Sequence, residues 1–336
     1  MTVRNESGIQ VKKENWVPVR RSNLKYYDNI ELYYKNPYGK VVLYKPAGMN
    51  FSDDRLQQKP YLGTLFVKLE DKLKALREAQ HGFSLQLTKN IMQEGASKVK
   101  EELINIVDET FGEPRSGSLA VVPETMGAIV EGYSKQPEII KNLARMSHTD
   151  YTTTIHSINV MALTVGYCFY TGRSKEETVQ FGLSALLHDV GKTETPPEIL
   201  TSTKGLTDEE YEIIKKHPGI GREILEEYGS VVASAAIGSI EHHEELDGSG
   251  YPKGTVTISE IGQILSIIEC YEAITNDERP YRSSLLPIKA LEILKDETDA
   301  GRFNRLFFED FAYSLTDFTS NSHRKRYNKL FIRSRN

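Results

Sequence analysis

Histidines are concentrated in one stretch of this 336-residue sequence. Five of the eight fall between residues 156 and 243, and each of the longer intervals between them suits one helix plus a connection. Successive helices could therefore bring these side chains to one place inside a bundle, where metal sites are commonly built. Neutral imidazole and carboxylate together suit iron, manganese or zinc. The five residues are His156, His188, His217, His242 and His243.

The segment SALLHDVGK (184–192) places two metal-competent donors, His188 and Asp189, at the end of an apolar run. Lys192 follows three residues after Asp189, so a continuing helix would put all three side chains on one face. A lysine beside a metal site is suited to an anionic substrate oxygen. The alternative is a surface cation at a helix C-terminus.

A second segment, EHHEELDGSGYPKG (241–254), contains the two adjacent histidines. Neighbouring residues on a helix point about 100° apart, so His242 and His243 could serve two metals. The Asp-Gly-Ser-Gly run is typical of a turn and would carry Tyr251 on an exposed loop. A tyrosine there could stack on a nucleobase, and packing within the loop is the alternative.

Further charged residues follow in the next helical segment. An apolar stripe from Ile258 onward predicts a helix that carries Glu269 and Glu272. Beyond it, Arg279 and Arg282 flank Pro-Tyr and form a cationic pair suited to bidentate phosphate contacts. Ordinary helix-end charge is the alternative for these arginines.

The chain divides into three predicted regions around these motifs. Residues 1–66 are rich in Tyr and Val, and segments 29–35 and 40–44 are typical of strands in a small β-rich domain that is regulatory by position. Residues 67–117 predict a helical linker of one or two helices, and residues 118–336 predict an all-helical domain. Capping boxes at 174–177 and 207–210 predict two helix starts, the second helix running to about His217. The fold class is therefore mainly α.

Composition excludes several classes of protein. Two cysteines argue against a disulfide framework and favour a reducing compartment. No run of 18 apolar residues indicates a membrane span, and the N-terminus lacks a secretory signal. A net charge of −5 does not favour a DNA- or RNA-binding protein. The expected location is the cytoplasm.

These motifs together resemble the HD-GYP family, a branch of the HD phosphohydrolase superfamily, over about residues 118–310. The elements that carry the resemblance occur in the order and spacing of that family. They are HSINV (156–160), HDVGK (188–192), KHPGIG (216–221), HH (242–243), DGSGYP (247–252) and RPYR (279–282).

The resemblance implies an all-helical domain that holds divalent metal ions. Glu269 and Glu272 stand where the family has aspartates, so Glu269 would have to fold back or reposition the metal. Thr152 stands where family members with a third metal carry a glutamate, which favours two ions, iron with manganese as the alternative. The implied ligands are His156, His188, Asp189, His217, His242, His243 and Glu269, with Asp189 bridging the metals.

The resemblance further implies hydrolysis of cyclic di-GMP to linear pGpG, or on to GMP, by a hydroxide that bridges the metals. Lys192 and Asp189 would be catalytic. Two alternatives remain: a catalytically weak, metal-containing cyclic di-GMP sensor, and an HD phosphohydrolase of another nucleotide. By analogy, a homodimer could form through the helical linker. The implied substrate-binding residues are Tyr251, Arg279, Arg282, Gly250 and Pro252.

Overall fold

The computed structural model confirms a mainly α fold with a small antiparallel sheet near the N-terminus. No described helix is long and apolar enough to cross a membrane. The structure describes residues 3–4, 10–11, 15–49, 63–93, 95–112, 114–116, 118–143, 152–202, 204–276 and 285–315.

Both strands predicted near the N-terminus are present, with slightly shifted ends. The turn between them is closed by the Gly39 N–H, which donates to the Asn36 carbonyl at 2.9 Å. Gly39 has a φ of 78°, a left-handed conformation that glycine adopts without strain. A two-stranded sheet pairs β1 with β2, and a four-stranded sheet has the order β3-β6-β4-β5. The strands are β1 (Val3–Arg4), β2 (Gln10–Val11), β3 (Trp16–Pro18), β4 (Leu32–Lys35), β5 (Val41–Lys45) and β6 (Leu65–Lys68).

The predicted linker contains two helices, α1 (Lys72–Gln93) and α2 (Ala96–Gly112). Gly95, with a φ of 89°, separates them. Strand β6 ends just beyond the boundary placed at residue 66, and the division of the chain into domains stays a prediction. Apolar side chains from the sheet, from these two helices and from the rest of the described chain form one continuous core cluster.

The remaining helices form the bundle that carries the histidines. Helix α5 lies at its centre and is buried on nearly all sides, as expected of a helix that is apolar around its whole circumference. It packs against α6 and α11, while α10 packs against α6 and α9. The helices are α3 (Val122–Lys135), α4 (Pro137–Leu143), α5 (Thr153–Thr171), α6 (Lys175–Leu187), α7 (Pro197–Leu200), α8 (Asp208–Ile214), α9 (His217–Glu226), α10 (Ala233–Glu241), α11 (Glu260–Thr275), α12 (Pro287–Asp299) and α13 (Arg305–Ser314).

Local signals set several helix ends in the bundle. Both predicted capping boxes form, at the starts of α6 and α8. Helix α8 ends at Ile214 rather than near His217, and a new helix, α9, begins at His217. Pro218 explains the break, because its ring nitrogen cannot donate the hydrogen bond that an uninterrupted helix would require.

Candidate metal centre

Five elements of the bundle bring the predicted ligands to one buried place. His156 lies in the first turn of α5, and His188 and Asp189 follow the end of α6. The other contributions come from the first residue of α9, the end of α10 and the middle of α11. We call the set the candidate metal centre: His156, His188, Asp189, His217, His242, His243 and Glu269.

The carboxylate of Asp189 lies at the middle of the candidate metal centre and divides four histidines into two pairs. Its Oδ2 atom lies 3.7 Å from His156 Nε2 and 3.5 Å from His188 Nε2. Its Oδ1 atom lies 3.1 Å from His217 Nε2 and 3.8 Å from His242 Nε2. Each oxygen thus faces its own pair of imidazoles, the arrangement expected of a carboxylate that bridges two cations.

Glu269 adds a second carboxylate that lies within 4.8 Å of histidine nitrogens from both sides, His188 and His242. Its Oε1 atom lies 3.5 Å from His243 Nε2, and its Oε2 atom lies 3.9 Å from His242 Nε2. The residue is only 8% exposed. The additional methylene of glutamate is therefore accommodated, since the carboxylate reaches the histidines from α11.

Three of the histidines hold their ring orientation through their own backbone. In each of them the Nδ1–H donates to the carbonyl of the residue three positions earlier, at 2.7 Å. This bond fixes the proton on Nδ1 and leaves the Nε2 lone pair for a metal. The pairs are His188 with Ala185, His217 with Ile214, and His242 with Ser239.

His156 instead uses a side chain from another helix. Its Nδ1–H donates to Glu272 Oε2 at 2.6 Å. Asn159 and Asn276 donate to the other carboxylate oxygen of Glu272, at 2.9 and 2.7 Å. Although burial opposes the charge on Glu272, His156 and these amide donors lower the pKa of its carboxyl to about 2.

Burial keeps the other imidazoles neutral, which is the form that binds metals. It lowers the pKa of His188 to about 4 and also lowers the pKa values of His217, His242 and His243. Asp189 remains ionised: burial opposes its charge, but the Lys192 ammonium beside it holds its pKa well below the usual range. The centre therefore presents neutral nitrogen donors around a charged carboxylate.

Because Nδ1–H donates in each of the four rings beside Asp189, the Nε2 atoms that face one another carry lone pairs. His156 Nε2 and His188 Nε2 are 3.2 Å apart, and His217 Nε2 and His242 Nε2 are 3.1 Å apart. Asp189 Oδ1 is buried and receives no hydrogen bond from the described residues. Groups of acceptors this close repel one another unless a cation lies among them, and imidazole with carboxylate suits borderline divalent metals. The donor set therefore fits a metal.

The region that carries this site also matches the model of a known protein family. Residues 134–305, just over half of the chain, match the family model described as HD domain. The chain belongs to the HD domain family. The recognition of its motifs as those of the HD-GYP branch is likewise confirmed.

Relatives of this HD domain protein include named phosphodiesterases. It is 31% identical over 183 residues to the cyclic di-GMP phosphodiesterase PA4108 of Pseudomonas aeruginosa, covering 54% of this chain and 44% of that protein. It is 34% identical over 157 residues to the 3′3′-cGAMP-specific phosphodiesterase 1 of Vibrio cholerae, covering 46% of this chain and 36% of that protein. The chain thus spans less than half the length of both relatives.

A solved structure shows the same fold. The HDG"Y"P protein Bd1817 of Bdellovibrio bacteriovorus superposes with a TM-score of 0.59 at 18% identity, covering 90% of this chain and 100% of that one. Because the superposition extends well beyond residues 134–305, the likeness of fold includes more than the HD domain itself.

In the HDVGK segment (188–192), which we call the HD segment, the chain turns sharply after His188. Helix α6 ends at Leu187, and a 3₁₀ helix (Val190–Glu194) follows, so the α-helix does not continue through Lys192. The 3₁₀ turn nevertheless brings Lys192 Nζ to 2.6 Å from Asp189 Oδ2. Lys192 is therefore an ion-pair partner of the central carboxylate rather than a separate surface cation.

Glycines in the HD and KHPGIG segments allow this turn to pack directly against α9. A Cβ atom on Gly191 would overlap the carbonyl oxygen of His217, and one on Gly221 would overlap the Ser239 hydroxyl. Asp189 and His217 approach closely because the two backbones touch without intervening side chains.

The DGSGYP segment (247–252), which we call the GYP segment, folds back onto His243. The Tyr251 N–H donates to the His243 carbonyl at 3.0 Å, and the two rings stack with centroids 4.5 Å apart and planes inclined by 24°. A Cβ atom on Gly250 would overlap the backbone of residues 243–245. Tyr251 is half-buried rather than on an open loop, so one face of its ring already covers a candidate ligand. Pro252, the next residue, is exposed.

The remaining residues are two predicted arginines and three residues that the sequence analysis did not assign to the site. Arg279 and Arg282 lie outside the described residues. Sequence reasoning missed Asn159 and Asn276, although each lies three or four residues from His156 or Glu272 on the same helix. It also missed Glu244, a buried carboxylate that accepts hydrogen bonds from two backbone N–H groups beyond the GYP segment.

Proposed function

We propose that this chain is a metal-dependent cyclic di-GMP phosphodiesterase. The observation that carries the proposal is the set of buried lone pairs arranged in two groups around Asp189. Such a set is costly unless it binds cations, and hydrolysis of phosphodiesters commonly uses two of them. The name of the Pseudomonas aeruginosa relative supports the substrate.

The centre would hold two divalent ions, iron with manganese as the alternative. His156 and His188 would bind one ion and the remaining histidines the other. Asp189 would contact both, and Glu269 lies within reach of either. When bound, the metal pair supplies Lewis acidity and lowers the pKa of a bound water molecule to a value near neutral pH. Two ions rather than three are favoured because Thr152, in place of a carboxylate, accepts the Ile155 N–H as the cap of α5.

The chain's own residues would orient the cyclic dinucleotide. Lys192 lies at the rim of the centre, 19% exposed and beside Asp189, where its ammonium would also contact a phosphate oxygen. Tyr251 would offer the ring face that does not cover His243 to a guanine base. Gly250 and Pro252 shape this loop, and Arg279 and Arg282 would contact the second phosphate.

The test is hydrolysis by the purified 336-residue chain under anaerobic conditions with Fe(II) or Mn(II). Chromatography of the products is expected to show pGpG, with GMP present if the linear product is cut again. A metal-loaded protein that binds cyclic di-GMP without converting it would contradict the proposal and favour the sensor alternative. Elemental analysis of the same preparation measures the number and identity of the ions.

The same assay addresses a second substrate. The Vibrio cholerae relative is named for 3′3′-cGAMP, a cyclic dinucleotide with the same two phosphodiester linkages. Turnover of both compounds should be compared as kcat/KM. Faster cleavage of 3′3′-cGAMP would keep the metal chemistry and contradict the proposed substrate. Faster cleavage of an unrelated nucleotide would favour the other alternative, an HD phosphohydrolase of different specificity.

A further inference from the structure

A buried lysine lies on α2, outside the motifs that carry the candidate ligands. Lys100 is 1% exposed. A fully buried ammonium is rare and costly unless it is hydrogen-bonded. Its Nζ donates to the Leu143 carbonyl at 3.1 Å, at the end of α4, and to Asn159 Oδ1 at 3.4 Å. The lysine therefore joins the helical linker to α5 inside the core.

Lys100 determines which way the Asn159 amide points. An ammonium group can only donate hydrogen bonds, so Asn159 must turn its carbonyl oxygen toward Lys100. Its NH₂ group then faces the opposite direction and donates to Glu272 Oε1 at 2.9 Å. With the amide reversed, an NH₂ group would face the ammonium, and an oxygen would face the carboxylate.

Glu272 connects Asn159 to the candidate metal centre. It accepts from Asn159 on one oxygen and from His156 Nδ1–H on the other. A proton held on Nδ1 leaves the Nε2 lone pair of His156 directed toward Asp189. A continuous series of hydrogen bonds thus runs from Lys100 on α2 to one candidate ligand.

A second contact ties the same two helices together. The hydroxyl of Thr154, two residues before His156, donates to Asp108 on α2 at 2.6 Å. The first two turns of α5 are therefore held by α2 at two points, through Asp108 at Thr154 and through Lys100 at Asn159. Displacement of α2 would alter both contacts at the turns around His156.

We propose that Lys100 is a positioning residue: it orients Asn159, which holds the Glu272 carboxylate in place against His156 Nδ1–H, so that α2 influences metal affinity. This inference rests on the metal centre of the proposed function. It assigns to the helical linker a role in regulating the site, because a signal that moves α2 would weaken metal binding on the His156 side of Asp189.

The first test is a Mn(II) titration of metal-free protein by calorimetry. Lys100→Met removes the ammonium donor while nearly keeping the length of the side chain. We expect about tenfold weaker Mn(II) binding at one site. Lys98→Met is the matched control, because Lys98 lies on the same helix, is exposed and forms an ion pair with Glu101 on the same helix. Its Mn(II) affinity should match that of the parent. Circular dichroism of the metal-free variants checks that both are folded.

A double-mutant cycle separates positioning from general damage to the core. Asn159→Leu breaks the same series one step closer to the metal and should weaken Mn(II) binding at least as much. If Lys100 acts through Asn159, adding Lys100→Met to Asn159→Leu produces no further loss. If Lys100 serves only to stabilise the core, the two losses multiply, and the inference is wrong.

A spectroscopic readout needs neither metal nor substrate. With ¹⁵N-histidine labelling, the His156 ring of the metal-free parent should show the proton on Nδ1. In Asn159→Leu, and in Lys100→Met if it folds, we expect the Nε2–H tautomer to become populated. An unchanged tautomer in the folded Asn159→Leu variant would overturn the inference. A parent protein that binds Mn(II) but leaves cyclic di-GMP intact would instead contradict only the proposed function.

Discussion

The two sides of Asp189 hold their histidines in different ways. On the Oδ1 side, His217 and His242 are oriented by the backbone carbonyls of Ile214 and Ser239, three residues earlier in the chain. On the Oδ2 side, His188 is held in the same local way, but His156 depends on Glu272, which is 116 residues distant. A histidine held by a nearby backbone carbonyl keeps that hydrogen bond when neighbouring side chains are replaced. His156 keeps its hydrogen bond only while the tertiary structure holds Glu272 beside it. The Oδ2 side is therefore the one open to regulation.

The largest effect should come from the carboxylate shared by both sides. Asp189→Asn keeps the size of the side chain but removes the charge that offsets two cations. We expect cyclic di-GMP turnover to fall by about 1,000-fold or more, since metal contacts contribute several kcal/mol to the transition state. Steady-state kinetics with Mn(II) measures this. Asp299→Asn, an exposed substitution on α12, serves as the control, and equal rates in both variants would contradict the central role of Asp189.

The next effect tests the asymmetry directly. Glu272→Gln offers a single carbonyl oxygen where three groups donate, so His156 loses its fixed tautomer. Metal affinity on one side should weaken about 10- to 100-fold, seen as one of two binding steps in calorimetry. Ile214→Val is the comparison, because it leaves the carbonyl that orients His217. Weakening of both binding steps by Glu272→Gln would remove the distinction between the sides.

A smaller effect concerns the packing that brings His217 to Asp189. Gly191→Ala forces a Cβ atom against the His217 carbonyl. We expect the free energy of unfolding to fall by about 1–3 kcal/mol, measured by denaturant titration. Gly219→Ala, in the adjacent KHPGIG segment, meets no atom within 4 Å and should leave stability nearly unchanged. Equal costs at both positions would contradict the close backbone approach.

The smallest effect concerns Tyr251, which covers His243 on the Oδ1 side. If its free face stacks on a base, Tyr251→Leu should raise KM about tenfold, and Tyr251→Phe should leave it nearly unchanged. A loop residue that only packs would lower stability in Tyr251→Leu without raising KM. Thermal unfolding beside steady-state kinetics distinguishes the two roles.

Much of the site could be predicted from the sequence because its signals are local. His-Asp at the end of an apolar run, the pair at 242–243 and the capping boxes each depend on neighbouring residues, and all appear where expected. The helix that would have put Asp189 and Lys192 on one face does not continue, but a 3₁₀ turn still brings the two side chains into an ion pair. The stacking of Tyr251 on His243 could not be predicted, because it depends on how the loop folds back.

The sequence by itself determined which donors this protein has, their order and the mainly α fold, because residue type and helical spacing are properties of short segments. Only the tertiary structure decided that Glu269 reaches the histidines, that the carboxylate of Asp189 separates them into pairs, and that Lys100 connects α2 to His156. These features arise from helices distant in the chain packing side by side. A buried charge selects its partner by position in space, which no local pattern specifies.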